Sequence, residues 1–306
     1  MNKITDELLK IITSVKDGTF KGAYNIREDG QCAGRRSSEN ITIDPKTDKP
    51  GIDIRIKPGT KGETVYIPAC VTRAGVDDLV YNDFFVGEGA DVIIEAGCGV
   101  HSDGEQEARH NGIHRFFLEK GAHVLYKEKH IANGAGTGTK RIDPVTEAQL
   151  AEGACLEMDT VQLGGVTTTT RRTQATLDAG ARVVVRERIM TSGSEFARTE
   201  FTVRLNGAGS AADLVSRSVA RGNSRQEFAS TMVGNAPCSG HSECDAILAE
   251  NGSVLAQPGL EANHVDAALI HEAAIGKIAG EQLLKLRTLG LTSAEAEERI
   301  IQGFLK

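Results

Sequence analysis

The sequence predicts an all-β chain wound as a β-helix, with a helix at its N-terminus and a helical segment at its C-terminus. Short Val/Ile/Thr-rich runs alternate with glycine-containing turns from Thr42 to about Asp266. Tryptophan is absent and aromatic side chains are few, while glycine is plentiful. That composition suits a narrow coil filled by small and β-branched residues. One phrase also recurs: a residue that is often acidic or Asn, then Gly, a small residue and alternating apolar positions. Its copies contain Gly89, Gly121, Gly153, Gly180, Gly207 and Gly252, and the spacing is roughly thirty residues apart from a longer last interval, a solenoid-like period. A β-sandwich or jelly roll instead shows turn signals at shorter spacing, without one phrase recurring at long range.

The elements follow in order. Residues 1–18 form the first: Ile4, Leu8, Leu9, Ile12 and Val15 recur at helical spacing between charges in Met1 to Lys16. Residues 19–268 make the β-helix core, where each copy of the phrase reads as a corner followed by a strand whose alternate side chains enter the interior. Residues 269–306 are expected to be helical, because after Asp266 the pattern changes. Glu281 to Arg287 reads as a helix stopped at Gly290. Thr292 and Glu295 form a capping box for a second helix, whose stripe is Ala296, Ile300, Ile301 and Phe304. These helices either cap the last coil or dock into a partner's groove.

The formal net charge is −7, and no basic run is interleaved with aromatics, so neither nucleic acid nor a polybasic membrane surface is expected as partner. No apolar run is long enough to span a bilayer, and the N-terminus lacks a signal-peptide core. The chain therefore reads as soluble and cytoplasmic. Its six cysteines are scattered through a chain able to build its own core, which points to thiols or metal ligands rather than a disulfide scaffold.

Cys238-Ser239-Gly240-His241-Ser242-Glu243-Cys244 sets two thiols and an imidazole in one short run, soft ligands suited to zinc or iron–sulfur chemistry. Being an even number apart, Cys238 and Cys244 face one side of an extended strand and are candidates to converge. His271 and Glu272 fall at the expected β-to-helix junction, where surface polar roles compete with ligation. Cys98, between Gly97 and Gly99 and near His101, reads as an accessible, activated thiol. His110 and His114 with His101 match no simple ligand spacing. The stretch Asn133 to Lys140 is glycine-rich but lacks the Walker spacing and is assigned to a loop.

Several phrases together resemble the SufB/SufD family. His271-Glu272-Ala273 and the run to Leu283, then Arg287 to Leu291 and Gly303-Phe304, resemble the end of SufB and SufD. Glu243-Cys244-Asp245-Ala246 resembles the Gln-Cys-Asp-Ser phrase of SufB, Glu95 to Cys98 its Glu-Gly-Cys phrase, and Tyr66-Ile67-Pro68 its Tyr-Val-Pro strand. The resemblance implies a β-helix scaffold for iron–sulfur cluster assembly, not itself an enzyme, partnered by a SufC-type ABC ATPase. It implies a transient cluster near the interface of two scaffold subunits, in a homodimer or a heterodimer with a paralogous scaffold. Cys98 then accepts sulfur as a persulfide. The SufB assembly cysteine before the last coil falls on Gly252 or Ser253 here, so Cys238, Cys244, His271 and Glu272 become the expected metal ligands. Ile278, Leu283, Leu286, Leu289, Ile300 and Phe304 are the residues expected to hold the ATPase. A structural SufD-like subunit without its own cluster and a carbohydrate-active β-helix enzyme are the alternatives.

Overall fold

The alternating runs become strands because each places one row of side chains inside a closed coil and the other outside. The computed structural model, which describes residues 1–306, winds them into a parallel β-solenoid of about eight turns. Its two walls are ten-stranded sheets. Sheet A includes the strands Asp91–His101, His123–Asn133, Cys155–Leu163, Arg182–Thr191, Ser210–Ala220, Cys238–Leu248 and Ala267–Gly276 in neighbouring order. Sheet B runs opposite, through Ala108–Leu118, Thr168–Leu177, Phe196–Leu205 and Arg225–Gly234 to Ser253–Ala262. No helix is long and apolar enough to cross a membrane.

The recurring phrase marks the corners from sheet B to sheet A. Gly89, Gly121, Gly153 and Gly180 each take a φ between 62° and 67°, a left-handed conformation that glycine adopts without a Cβ penalty. Each donates its N–H to the carbonyl of the next coil: Gly89 to Lys120, Gly121 to Glu152, Gly153 to Ala179 and Gly180 to Ala208. The fifth and sixth copies differ. At the fifth corner Gly209 takes the left-handed turn, while a Cβ on Gly207 would lie 1.9 Å from Ala179 N. The sixth copy, at Gly252, belongs to the opposite corner, above Gly222. That explains the longer interval before it.

Three helices flank the solenoid. Helix α1, Lys3–Ile12, is shorter than the expected first segment and buries Leu8, Leu9 and Ile12 on the outer face of sheet A. Asn2 caps it through Thr5 N at 2.8 Å. Its seat is made by two glycines. A Cβ on Gly97 would lie 2.6 Å from Ile12 O, and one on Gly99 would lie 3.0 Å from Leu8 Cδ2. Overpacking of this kind costs typically about 1–3 kcal/mol, so Gly97→Val is expected to undock α1 while leaving the coils folded. Amide exchange checks this: residues 3–12 lose protection and the strand amides keep theirs, whereas unchanged protection of α1 overturns it.

At the C-terminal end the expectation of helix from residue 269 is corrected. Ala267–Gly276 is the last strand of sheet A, paired in parallel with Cys238–Leu248, and the helical segment begins only at Gly280. Ala267, Leu269 and His271 alternate with outward residues, a period of two that a helix does not bury. Helix α2 spans Gly280–Thr288 and is followed by Gly290 at φ 96°, as the sequence indicates. Helix α3, Ser293–Phe304, carries both halves of the Thr292–Glu295 capping box and buries Ala296 and Ile301.

The two ends of the solenoid are unlike. At the N-terminal end both sheets finish in antiparallel pairs, Ala23–Glu28 with Gln31–Arg36 and Ile41–Pro45 with Gly51–Ile56. A register shift at Ile26/Arg27, Arg35 and Arg36 on one outer strand and Pro45 on the other blunt these edges. At the C-terminal end Pro258 sits within the last strand of sheet B and removes a donor. The last strand of sheet A, Ala267–Gly276, has no proline and an uncovered edge.

Candidate functional site

Period-two alternation decides where each candidate residue points. Cys98 faces inward, against Val71, Val100 and Ala132, while Gly97 and Gly99 face outward under α1. The flanking glycines therefore seat a helix and do not expose a thiolate. The accessible, activated thiol expected from the sequence is corrected accordingly: Cys98 is 4% exposed, and burial pushes its thiol well above the ordinary range, helped by the charge of Glu128.

Beside Cys98 the coil interior is polar. Cys98 stands next to His130 in register, and the adjoining inward column of sheet A runs Glu128, Thr160, Glu187, Ser216, Cys244 through successive strands. Arg171, projecting from sheet B, bonds Glu128 through Nη1 and lies 3.4 Å from Glu187 Oε1 through Nε. His130 Nε2 is 3.2 Å from Glu128 Oε1. Tyr126 donates to Glu128 at 2.8 Å, and His114 Nδ1 lies 2.7 Å from the Tyr126 hydroxyl. Thr199 and Ser216 donate to Glu187 at 2.9 and 2.7 Å. Ser230 and Ser242 close the series at 2.9 Å. All are buried. Burial raises the Glu128 carboxyl, but His130 and Arg171 outweigh it and hold the group well below the carboxylate range.

The four expected metal ligands divide into three places. Cys238 and Cys244 share the inward face of one strand, as their spacing indicates. Six residues of extended chain nevertheless separate them by about 20 Å, so they do not converge within one chain. His271 is in register with Ser242 and faces inward, diagonal to Cys244. Both its ring nitrogens are buried without a hydrogen-bond partner, and burial lowers its pKa. Glu272, the next residue along the strand, faces outward beside His241, 3.9 Å from Nε2. Burial, with Glu187 and Asp245 nearby, pushes the Cys244 thiol up to about 12. Cys244 and His271 are thus neutral soft donors side by side at the open end of the polar column. An arriving metal must displace the thiol proton.

The sequence reading missed the column itself. Its signal was present: Tyr126, Glu128 and His130 share the parity of Val124. It also missed His123, Cys155 and Glu157, whose donor atoms all lie within 4.8 Å of one another on the outer face of sheet A. His110 is bonded to Asp78 inside the coil and His101 to Asn133 and Asp103 outside, so the three histidines of that region form no common site. The glycine-rich stretch at 134–138 lies close against the backbone of 102–106 of the preceding coil, a stacked corner and not a phosphate cradle. A cleft of about 660 Å³ on the outer face of sheet A is lined by Asp159, Arg186, Arg188, Asp213 and Arg217 among others, with no Phe or Tyr. A sugar-binding groove needs aromatic platforms that this one lacks.

The residues expected to hold an ATPase lie in and around the two C-terminal helices, α2 and α3. Helix α2 buries no residue, and Leu284 and Leu289 are 59% and 73% exposed. Ile278, Leu283, Leu286, Ile300 and Phe304 are half-buried.

Comparison with known proteins agrees with this architecture. Residues 84–304 match the family model described as SUF system FeS cluster assembly, SufBD core domain. An iron–sulfur cluster assembly SufBD family protein of Archaeoglobus fulgidus is 30% identical over 259 residues, covering 84% of this chain and 68% of the relative. One of Methanothermobacter thermautotrophicus is 30% identical over 260 residues, covering 83% and 62%. One of Methanocaldococcus jannaschii is 24% identical over 315 residues, covering 99% and 98%. The chain thus spans about two thirds of the length of the first two relatives and nearly all of the third.

Proposed function

The chain belongs to the SufBD family of iron–sulfur cluster assembly proteins, and from that premise we propose that it is the scaffold on which a cluster is built. The cluster is cargo, held transiently and passed on. The observation that carries the reading is the buried polar column, which begins beside Cys98 and ends at Cys244 and His271 next to the uncovered edge of sheet A. Five inter-strand steps put the two thiols about 24 Å apart along the axis.

In this reading Cys98 is an interior sulfur acceptor. Local opening of the coil, which the burial of Cys98 requires, lets its thiolate take the terminal sulfur of a donor persulfide, and the donor leaves as a thiolate. Cys244 and His271 supply soft ligands at the open end. A second copy of the chain supplies the rest. The edge strand Ala267–Gly276 carries unpaired backbone groups, and Ile270 within it is 55% exposed. Two such edges meet about a two-fold axis and present each ligand twice. Glu272, outward on the same strand, then lies at the rim of that interface, and Cys238 serves packing at the distant corner.

The partner is a SufC-type ABC ATPase docked on α2 and α3. ATP-driven closure of two such ATPases draws the helices together and opens the interface to release the cluster. The site of action is the cytoplasm, where free thiols persist; all six cysteines are unpaired.

Anaerobic purification with the ATPase, then reconstitution with iron and sulfide, tests the reading. Visible charge-transfer absorption is expected for the parent chain. It is lost in Cys244→Ser and retained in Cys238→Ser. Absorption unchanged in both single variants and in the double variant removes Cys244 from the ligand set. Co-purification with the ATPase and no absorption in the parent chain instead makes the protein a structural, SufD-like subunit.

A further inference from the structure

A second set of chemistry-bearing side chains lies on the outer face of sheet A, far from the interior thiols. Asp91, His123 and Cys155 occupy the same register position in three successive strands. Each is the first strand residue after a corner glycine, and each backbone N–H is fixed to the coil before it: Asp91 to Thr60, His123 to Ala90 and Cys155 to Ala122, at 2.7 to 2.8 Å. Glu157 joins them from two residues further along the Cys155 strand. The backbone positions are therefore set by the solenoid and do not depend on a loop.

The side chains form a directed arrangement. His123 Nδ1 lies 2.8 Å from Asp91 Oδ1, and Nε2 lies 3.2 Å from Glu157 Oε1. The Asp91 carboxylate holds Nδ1 as the N–H, which leaves the Nε2 lone pair aimed at a second carboxylate. Two acceptors at that distance are bridged either by a proton on Nε2 or by a metal ion. The Cys155 sulfur completes a group of three donors, all within 4.8 Å of one another. Tetrahedral zinc with bonds of about 2.0–2.1 Å to nitrogen and oxygen places neighbouring donors about 3.3–3.4 Å apart. The His123–Glu157 pair already stands close to that separation, and the Cys155 sulfur, within 4.8 Å of both, has to stand about 3.6 Å from each in a tetrahedral site.

We propose that His123, Cys155 and Glu157 bind one divalent transition-metal ion on the outer face of sheet A, with Asp91 orienting the imidazole. The donor types select the class of ion. A thiolate disfavours magnesium and calcium, and one nitrogen, one sulfur and one oxygen suit zinc or iron(II). Three protein ligands leave a fourth tetrahedral position open to solvent, the form of an exchangeable site rather than a closed structural one. The ion joins two adjacent coils directly and a third through Asp91. Nothing in this site depends on sulfide or on an ATPase, so it stands or falls apart from the scaffold reading.

The test is cobalt(II) titration of the full chain after chelator treatment, without sulfide. One equivalent is expected to give a sulfur-to-cobalt charge-transfer band and the intense visible bands of a four-coordinate ion. Cys155→Ser abolishes the charge-transfer band, and Glu157→Gln and His123→Ala weaken binding at least tenfold. Asp91→Asn keeps the band and loses roughly 10–100-fold in affinity, the usual effect of removing a carboxylate behind a ligating histidine. Zinc and, anaerobically, iron(II) each displace the cobalt, iron(II) at the higher concentration. Zinc also raises the melting midpoint of the parent chain but not of Cys155→Ser. Circular dichroism of the partly exposed Cys155→Ser site confirms folding. A band that survives in Cys155→Ser, or no band in the parent chain, overturns the proposal. The second result leaves His123 as a hydrogen-bond partner of Asp91 and Glu157.

Discussion

Arg171→Leu is expected to lower the unfolding free energy by about 3–5 kcal/mol, the cost of leaving a buried charge without its partner. Arg171 is 4% exposed and stands between Glu128 and Glu187, which are each 3% exposed. Its removal leaves both carboxylates, two strands apart in the inward column of sheet A, without the guanidinium they share. Burial opposes the Arg171 charge, but the two glutamates more than compensate and raise its pKa. Glu128→Gln added to Arg171→Leu removes one of the stranded charges and is expected to recover part of the loss. Urea unfolding of the single and double variants measures both. A single variant that loses less than about 1 kcal/mol, the scale of an exposed pair, would show that water reaches these groups.

The second large effect is acid sensitivity through His114. The ring is fully buried, and burial lowers its pKa to about 4, against the opposing pull of Glu128. Its neutral form is satisfied on both sides: Nδ1 lies 2.7 Å from the Tyr126 hydroxyl and Nε2 3.2 Å from the Asn82 amide. The unfolded ring takes up a proton near pH 6.5 and the folded ring only near 4, so the unfolded state holds the extra proton between these values. Stability from this group is therefore complete above about pH 6.5 and falls on acidification, by about 3 kcal/mol when pH 4 is reached. His114→Gln is expected to shrink the loss between pH 7 and pH 5 by about 2 kcal/mol. A residual slope remains, because burial also lowers the pKa of His130. Urea midpoints at the two pH values decide it, and an unchanged slope in the variant refutes the assignment.

The coil was legible because its corners repeat. A left-handed glycine every coil, with its N–H bonded to the coil above, leaves a mark that survives any choice of strand residues. Two kinds of corner were not separable in sequence, so Gly252 was grouped with a series from the other side. The boundary at residue 269 was misplaced for a related reason. Ala267 to Gly276 is rich in alanine, which suits a helix, but the stacking of Leu269 on Gly240 and of His271 on Ser242 imposes a strand.

The site was legible in composition and not in placement. Parity correctly sets Cys238 and Cys244 on one face, yet same-face residues on a strand diverge by about 6.7 Å for every two positions. Adjacent residues such as His271 and Glu272 must separate across the sheet. The glycines beside Cys98 suggested exposure because nothing local reveals that a helix from residues 3–12 lies over them. The polar column was hidden by the ordinary assumption that charges face water. Glu128, Arg171 and Glu187 come from three different strands, and only the winding brings them together.

The unlike ends of the solenoid have a consequence for how many copies can associate. A rod with two adhesive ends adds subunits head to tail without limit, as fibres do. Here one terminus is armoured by bulge, arginines and proline, and only one strand at the other remains able to pair. In the dimer proposed above, growth by edge pairing would stop at two. On that proposal the polarity written into the first and last coils acts as a counting device, turning an architecture prone to polymerise into one that closes on itself.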